Sequence, residues 1–170
     1  MLLEDIGVKI DKILVPDESI DRTKWSVIAC DQYTSEPEYW KKLRESIGDS
    51  PSTLDLIFPE VYLESGRDEE ITKEIHESMN EYLKKSIFIP RGPGIIMLDR
   101  KTPHTESRKG VVTALDLEKY DYTKGADTLI RASEGTILDR LPPRIRIRKD
   151  APLELPHIVM LIDDPEEKVI

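Results

Sequence analysis

Residues 68–85, DEEITKEIHESMNEYLKK, carry Ile71, Ile75, Met79, Tyr82 and Leu83 at steps of three and four. That period gathers them on one stripe of an α-helix. Asp68, Glu69 and Glu70 fall in the first turn and Lys84 and Lys85 in the last, which complements the helix dipole at both ends. A second helix is predicted upstream over 36–47. Tyr39, Trp40, Leu43 and Ile47 repeat the period, Pro37 is tolerated in the first turn, Ser35 and Glu38 have capping-box spacing, and Gly48 suits a left-handed terminator. Around these helices lie short apolar runs at 25–30, 53–63, 95–99, 110–117, 144–148 and 157–162, which read as strands or strand and turn. Residues 101–109 are polar and read as a loop or hairpin connection. Strands interleaved with two main helices make the fold α/β or α+β, a mixed sheet in a single compact domain of residues 1–170.

The hydrophobic share of 38% is enough to fill a core in a chain of 170 residues. The longest apolar stretches, such as 158–162, have the length of a strand and not of a membrane span. Glu4 and Asp5 occupy the place of a basic leader, so no secretory signal is read. With Cys30 as the one cysteine, neither an intrachain disulfide nor a cysteine-rich zinc site can be built, and a reducing cytoplasm is the expected location. His76, on a helix face directed at solvent, His104 and His157 lack metal-ligand spacing, so no metal site is expected; Asp163-Asp164 reads as an acidic turn before Pro165. A net charge of -9 opposes polyanions, and no nucleic-acid partner is expected. Asn80 and Gln32 are the sole side-chain amides beside 35% charged residues, the pattern of proteins that work hot.

One segment reverses the sign. Residues 130–149 hold six basic side chains (Arg131, Arg140, Arg144, Arg146, Arg148, Lys149) against Glu134 and Asp139, a local balance of +4. As a strand, Arg144-Ile-Arg-Ile-Arg148 would place three guanidiniums on one face, and arginine's planar fork matches phosphate or carboxylate. The same alternation also fits a solvated face paired with acids of the protein. Upstream, Ser133-Glu-Gly-Thr136 combines two hydroxyls with flexible Gly135, the makings of an anion-cradling turn or of a helix cap. Asp31, just after the apolar run 25–30, stands where α/β sites form. Cys30 reads equally as a small buried hydrophobe or a nucleophile.

The segments WSVIACDQYTSEPEYW at 25–40, PSTLDLIFPEVYLE at 51–64, residues 108–122 and IRASEGTILDRLPPRIRIRKDAPLELPHIVMLIDDP at 130–165 resemble the bacterial and archaeal family known as domain of unknown function 1015. The resemblance spans nearly the whole chain and implies a cytoplasmic protein; its members are longer, so the chain is expected to correspond to their N-terminal part. Ser133 stands where that family is expected to carry threonine. A more distant similarity, to free-serine kinases with a ParB-like or sulfiredoxin-like fold, implies nucleotide phosphates held by arginines and backbone amides. Two functions are therefore expected to compete. In one, the chain binds a small phosphorylated or carboxylated metabolite or nucleotide, with phosphoryl transfer from ATP and Mg²⁺ to a small hydroxyl substrate. Arg131, Ser133, Gly135, Thr136, Arg140, Arg144, Arg146 and Arg148 would be its ligand-binding groups, and Asp31 or Glu134 the base. In the other, it is a non-catalytic structural or protein-interaction module with an arginine–acid ladder. An uncovered apolar strand near 158–162 would then favour a homo-oligomer.

Overall fold

The computed structural model describes residues 3–166 apart from 64, 122, 129, 132–134, 136, 139, 140, 156 and 164. The chain, expected as one domain, packs as two compact units, each assembled from separate segments. Pro16–Ile89 with Thr136–Ile158 make a helical unit; Met1–Val15, Pro90–Gly135 and Val159–Ile170 make a hairpin unit. The content is mixed α and β.

In the helical unit α1 (Arg22–Trp25), α2 (Pro37–Ile47), α3 (Asp68–Lys84) and α4 (Leu141–Arg148) are joined by 3₁₀ turns at Thr53–Leu56 and Glu60–Tyr62. The stripe of α3 buries Ile75, Met79 and Tyr82 against Trp25, Leu56 and Phe58. Leu83, at its margin, stays exposed. Trp25 contributes most of the aromatic packing, its ring 6.1 Å from Tyr82 and 5.4 Å from Phe88. A second cluster of Trp40, Ile47 and Leu54 fastens the inner face of α2. That helix ends as its sequence demands, because Gly48 takes a φ of +59° and returns its N–H to Arg44 at 3.0 Å. Its start differs. Pro37 sets the first turn, whereas Glu36 is the capping position and makes no side-chain cap bond, so Ser35 is no cap.

Two runs expected as strands are not. Residues 26–30 carry no ladder, and 53–63 form the two 3₁₀ turns. Backbone groups a strand would pair are taken by side chains instead. Thr53 Oγ1 donates to the Trp25 carbonyl at 2.8 Å and accepts the Val27 N–H at 3.3 Å, while the Ser52 hydroxyl also reaches Trp25 at 3.3 Å. Each group is satisfied with no neighbouring strand, and so the β-branched run stays irregular. The Tyr82 hydroxyl holds the opposite side of this arrangement. It accepts the buried Ser52 N–H at 2.8 Å and donates to Asp55 Oδ2 at 2.5 Å, and the other Asp55 oxygen takes Arg44 at 2.6 Å. One phenol thus ties α3 to the 52–55 turn and, through Asp55, to α2.

The strands are β1 (Val8–Lys9), β2 (Asp11–Pro16), β3 (Phe88–Gly94), β4 (Ile96–Thr102), β5 (Thr105–Val112) and β6 (Ala114–Leu115), of which β1, β4, β5 and β6 lie wholly in the hairpin unit. They form three two-stranded sheets, β1 with β6, β2 with β3, and β4 with β5. Of the expected connection at 101–109 only Pro103 and His104 turn; the rest is ladder of the β4–β5 hairpin, whose antiparallel register pairs Ile96 with Val112 and Arg100 with Arg108. Gly7 is required where it stands: its φ is +75°, and a Cβ there would meet Ile130 at 3.3 Å. Ile130 is the buried apolar side chain of this unit among the described residues.

Burial first, then the hydrogen bond to Asp55, raises the Tyr82 hydroxyl above the ordinary tyrosine range. The contribution of this neutral phenol is therefore complete below about pH 10 and is lost as pH rises above that value toward the raised folded one. Tyr82→Phe is expected to cost about 1–3 kcal/mol at neutral pH, because Ser52 and Asp55 both lose a partner. It should also flatten the alkaline fall of stability. Urea unfolding at pH 7 and pH 10.5 measures both.

Candidate functional site

Arg144, Arg146 and Arg148 lie on a helix, which corrects the expected strand. The cause sits beside them. Pro142 and Pro143 occupy the first turn, where a missing N–H costs nothing, and Asp150 ends the segment at a φ of +62°. Residues two apart on an α-helix point about 200° away from each other, so Arg146 faces away from Arg144 and Arg148 and the three guanidiniums form no single face. Ile147 turns into the core beside Met79 and Tyr82, and Ile145 turns outward.

Each of the three arginines meets an acid. Arg144 donates to Glu60 Oε1 at 2.8 Å, and the Glu60 side chain is only 8% exposed. Arg146 reaches Asp68 Oδ2, at the start of α3, at 3.4 Å. Arg148 pairs with Glu154. His76, expected at the surface, is half-buried, and its Nε2 lies 2.7 Å from the Ile147 carbonyl, to which it donates. That carbonyl belongs to the last turn of α4, where four acceptors lack helical partners. The imidazole caps one of them from α3. Beside it, Glu69, Thr72, Lys73, His76, Glu77 and Arg146 line an open hollow of about 420 Å³.

Asp31 and Cys30 come within electrostatic reach of Arg144. Glu60 links them, its N–H donated to the Cys30 carbonyl at 2.8 Å. Asp31 itself is exposed and accepts from Gln32 at 3.3 Å. Burial, then the Asp31 and Glu60 charges, push the Cys30 thiol up, and Arg144 only partly opposes them. Such a thiol is held protonated, which suits a packing residue and not a nucleophile.

The remaining expected ligand groups lie elsewhere. Arg131 and Gly135 are exposed residues of the hairpin unit. Arg131 donates through Nε to the Thr128 carbonyl at 2.7 Å and stands 3.6 Å from Asp127, whose side chain is almost wholly in solvent. Ser133, Glu134, Thr136 and Arg140 lie outside the described residues. No group of three or more His, Cys, Asp or Glu among the described residues could hold a metal ion.

Residues 14–170 match the family described as Protein of unknown function (DUF1015). The chain belongs to this family. No curated protein and no solved structure matches it. No helix among the described residues of this DUF1015 chain is long and apolar enough to cross a membrane. Sequence reasoning located α4's arginines but missed Glu60, Asp68 and His76, which complete their environment from positions 71 to 84 residues away. Nothing local marks those partners.

The geometry gives Cys30 low reactivity. Alkylation by iodoacetamide at pH 7.5 is expected to run at least about tenfold slower than for an unstructured cysteine peptide of ordinary thiol pKa. Glu60→Gln, which removes one of the charges raising the thiol, should speed it. Mass-spectrometric labelling rates read both effects.

Proposed function

We propose that the chain is a non-catalytic protein-interaction module in which the arginines of α4 fasten the fold and an exposed apolar run meets a partner. The observation that carries this reading is the state of residues 158–162. The sequence predicts a strand there; the described structure has no ladder, and Ile158, Val159, Met160, Leu161 and Ile162 are all exposed. Five consecutive apolar side chains in water are a docking surface or a liability. Extended backbone without a partner forms no strand, which accounts for the difference from expectation. The paired arginines support the same reading from the other side, since guanidiniums already held by Glu60, Asp68 and Glu154 have less to offer an added anion. A thiol kept protonated suits a reducing cytoplasm, and the scarcity of amides suits a protein that works hot.

A second reading, anion binding with ATP and Mg²⁺ among the ligands, is favoured by Arg131 alone. Its ion pair is long and its acid fully solvated, so phosphate could replace Asp127 at little cost. Asp31 would supply the base in that reading.

The two readings part on one experiment. If the α4 arginines are fasteners, Arg144→Gln removes the Arg144 ion pair from the nearly buried Glu60 carboxylate, costing about 1–2 kcal/mol. That corresponds to a fall in melting temperature of about 2–6 °C. Phosphate, phosphoserine and Mg²⁺–ATP should then leave wild type unchanged in low salt. Stabilisation by any of them, abolished by Arg131→Gln, would establish the anion site instead.

A further inference from the structure

The β4–β5 hairpin carries an arrangement that sheets avoid. Arg100 and Arg108 are directly opposite partners in the register, on one face, with no acid within ion-pair distance of either among the described residues. Like charges so placed repel each other. Asp99, the nearest acid in sequence, is on the other face and accepts from Ser107 at 2.7 Å. The arginine face continues into apolar residues, Leu98 opposite Gly110 and Ile96 opposite Val112. Leu98 leans across the glycine, 3.9 Å from where a Cβ would stand. Both Ile96 and Leu98 remain exposed. Among the described residues this sheet has two strands and no strand pairs with the outer edge of β4, and a lone hairpin is marginal until a third strand covers it.

The exposed run described above has the complementary pattern. Strand spacing puts Val159, Leu161 and Asp163 on one face, and the sequence from 163 to 167 holds four acids in five residues. Laid beside β4 in the same direction, this segment sets Val159 against Ile96, Leu161 against Leu98 and Asp163 against Arg100. The first two matches are apolar and the third is an ion pair that also relieves the Arg100–Arg108 repulsion. Shifting the register by one residue in one direction puts Ile162 at Arg100 and loses the ion pair, whereas shifting it in the other sets Asp164 there, so an acid at Arg100 is what selects among registers. The chain's own run does not occupy this site, because Val159 and Leu161 are 83% and 82% exposed.

We propose that residues 159–163 of a second copy of this chain add as a third strand to the open edge of β4, and that the exchange is reciprocal in a two-fold dimer. The inference rests on the interaction reading above and names its partner. Reciprocity uses both complementary surfaces of each copy and leaves no unpaired edge to propagate.

Light scattering on the full chain, across a range of concentrations, tests it with four variants. Wild type is expected to be a dimer. Arg100→Glu with Arg108→Glu should raise the dissociation constant at least about tenfold. Asp163→Arg alone should do likewise, and combining all three substitutions should restore the dimer by exchanging the charges. These side chains are exposed or outside the core, and far-ultraviolet circular dichroism checks that the fold is kept. Leu161→Lys should abolish association. A dimer that resists the hairpin substitutions but is lost with Leu161→Lys overturns the β4 site while sparing the interaction reading. Wild type that stays monomeric at every concentration overturns the second copy as partner; the interaction reading is judged separately by the response to phosphate and Arg144→Gln.

Discussion

A nearly buried carboxylate needs a counterion, and in this chain Glu60 finds one in Arg144, 84 residues further along the sequence. Much of the helical unit is arranged around that requirement. Glu60 opens a 3₁₀ turn whose backbone also holds Cys30, while Arg144 is carried on the short α4, whose Ile147 closes the core. Losing the Arg144 pair would cost about 1–2 kcal/mol, and freeing α4 would also uncover the apolar floor beneath Ile147. Asp68 and Glu154 repeat the pairing with Arg146 and Arg148, and His76 holds the Ile147 carbonyl of α4.

This changes what an arginine cluster in an acidic protein means. A local balance of +4 looks like a site when the chain is read as a line, because the compensating acids are far away in sequence. In three dimensions Arg144, Arg146 and Arg148 are divided among separate partners, and exposed positive charge also stands on the β4–β5 hairpin. There two cross-strand arginines face each other with no acid at ion-pair distance among the described residues.

The helices were legible because their information is local. Period, terminal charges, Pro37 and Gly48 all act within a few residues, and α2 and α3 stand where they predict. The strands expected at 25–30 and 53–63 failed because β propensity states only that a residue tolerates an extended backbone, while Ser52, Thr53 and Tyr82 supply the hydrogen bonds that decide the outcome. Alternation at 144–148 misled for a related reason: the two prolines before it carry helix-start information that outweighs a five-residue pattern. Of the candidate site, Arg144 and Asp31 do come near each other, but the groups that set their chemistry, Glu60 above all, have no signature in the sequence around them.

The coupling between Arg144 and Glu60 is the most direct test of this account. A double-mutant cycle of Arg144→Gln and Glu60→Gln, followed by urea unfolding in low salt, is expected to give an interaction energy of about 1–2 kcal/mol, with the double variant more stable than the sum of the singles implies. Additive effects, with no coupling between the two positions, would contradict it and return the arginines of α4 to the pool of groups available for a ligand.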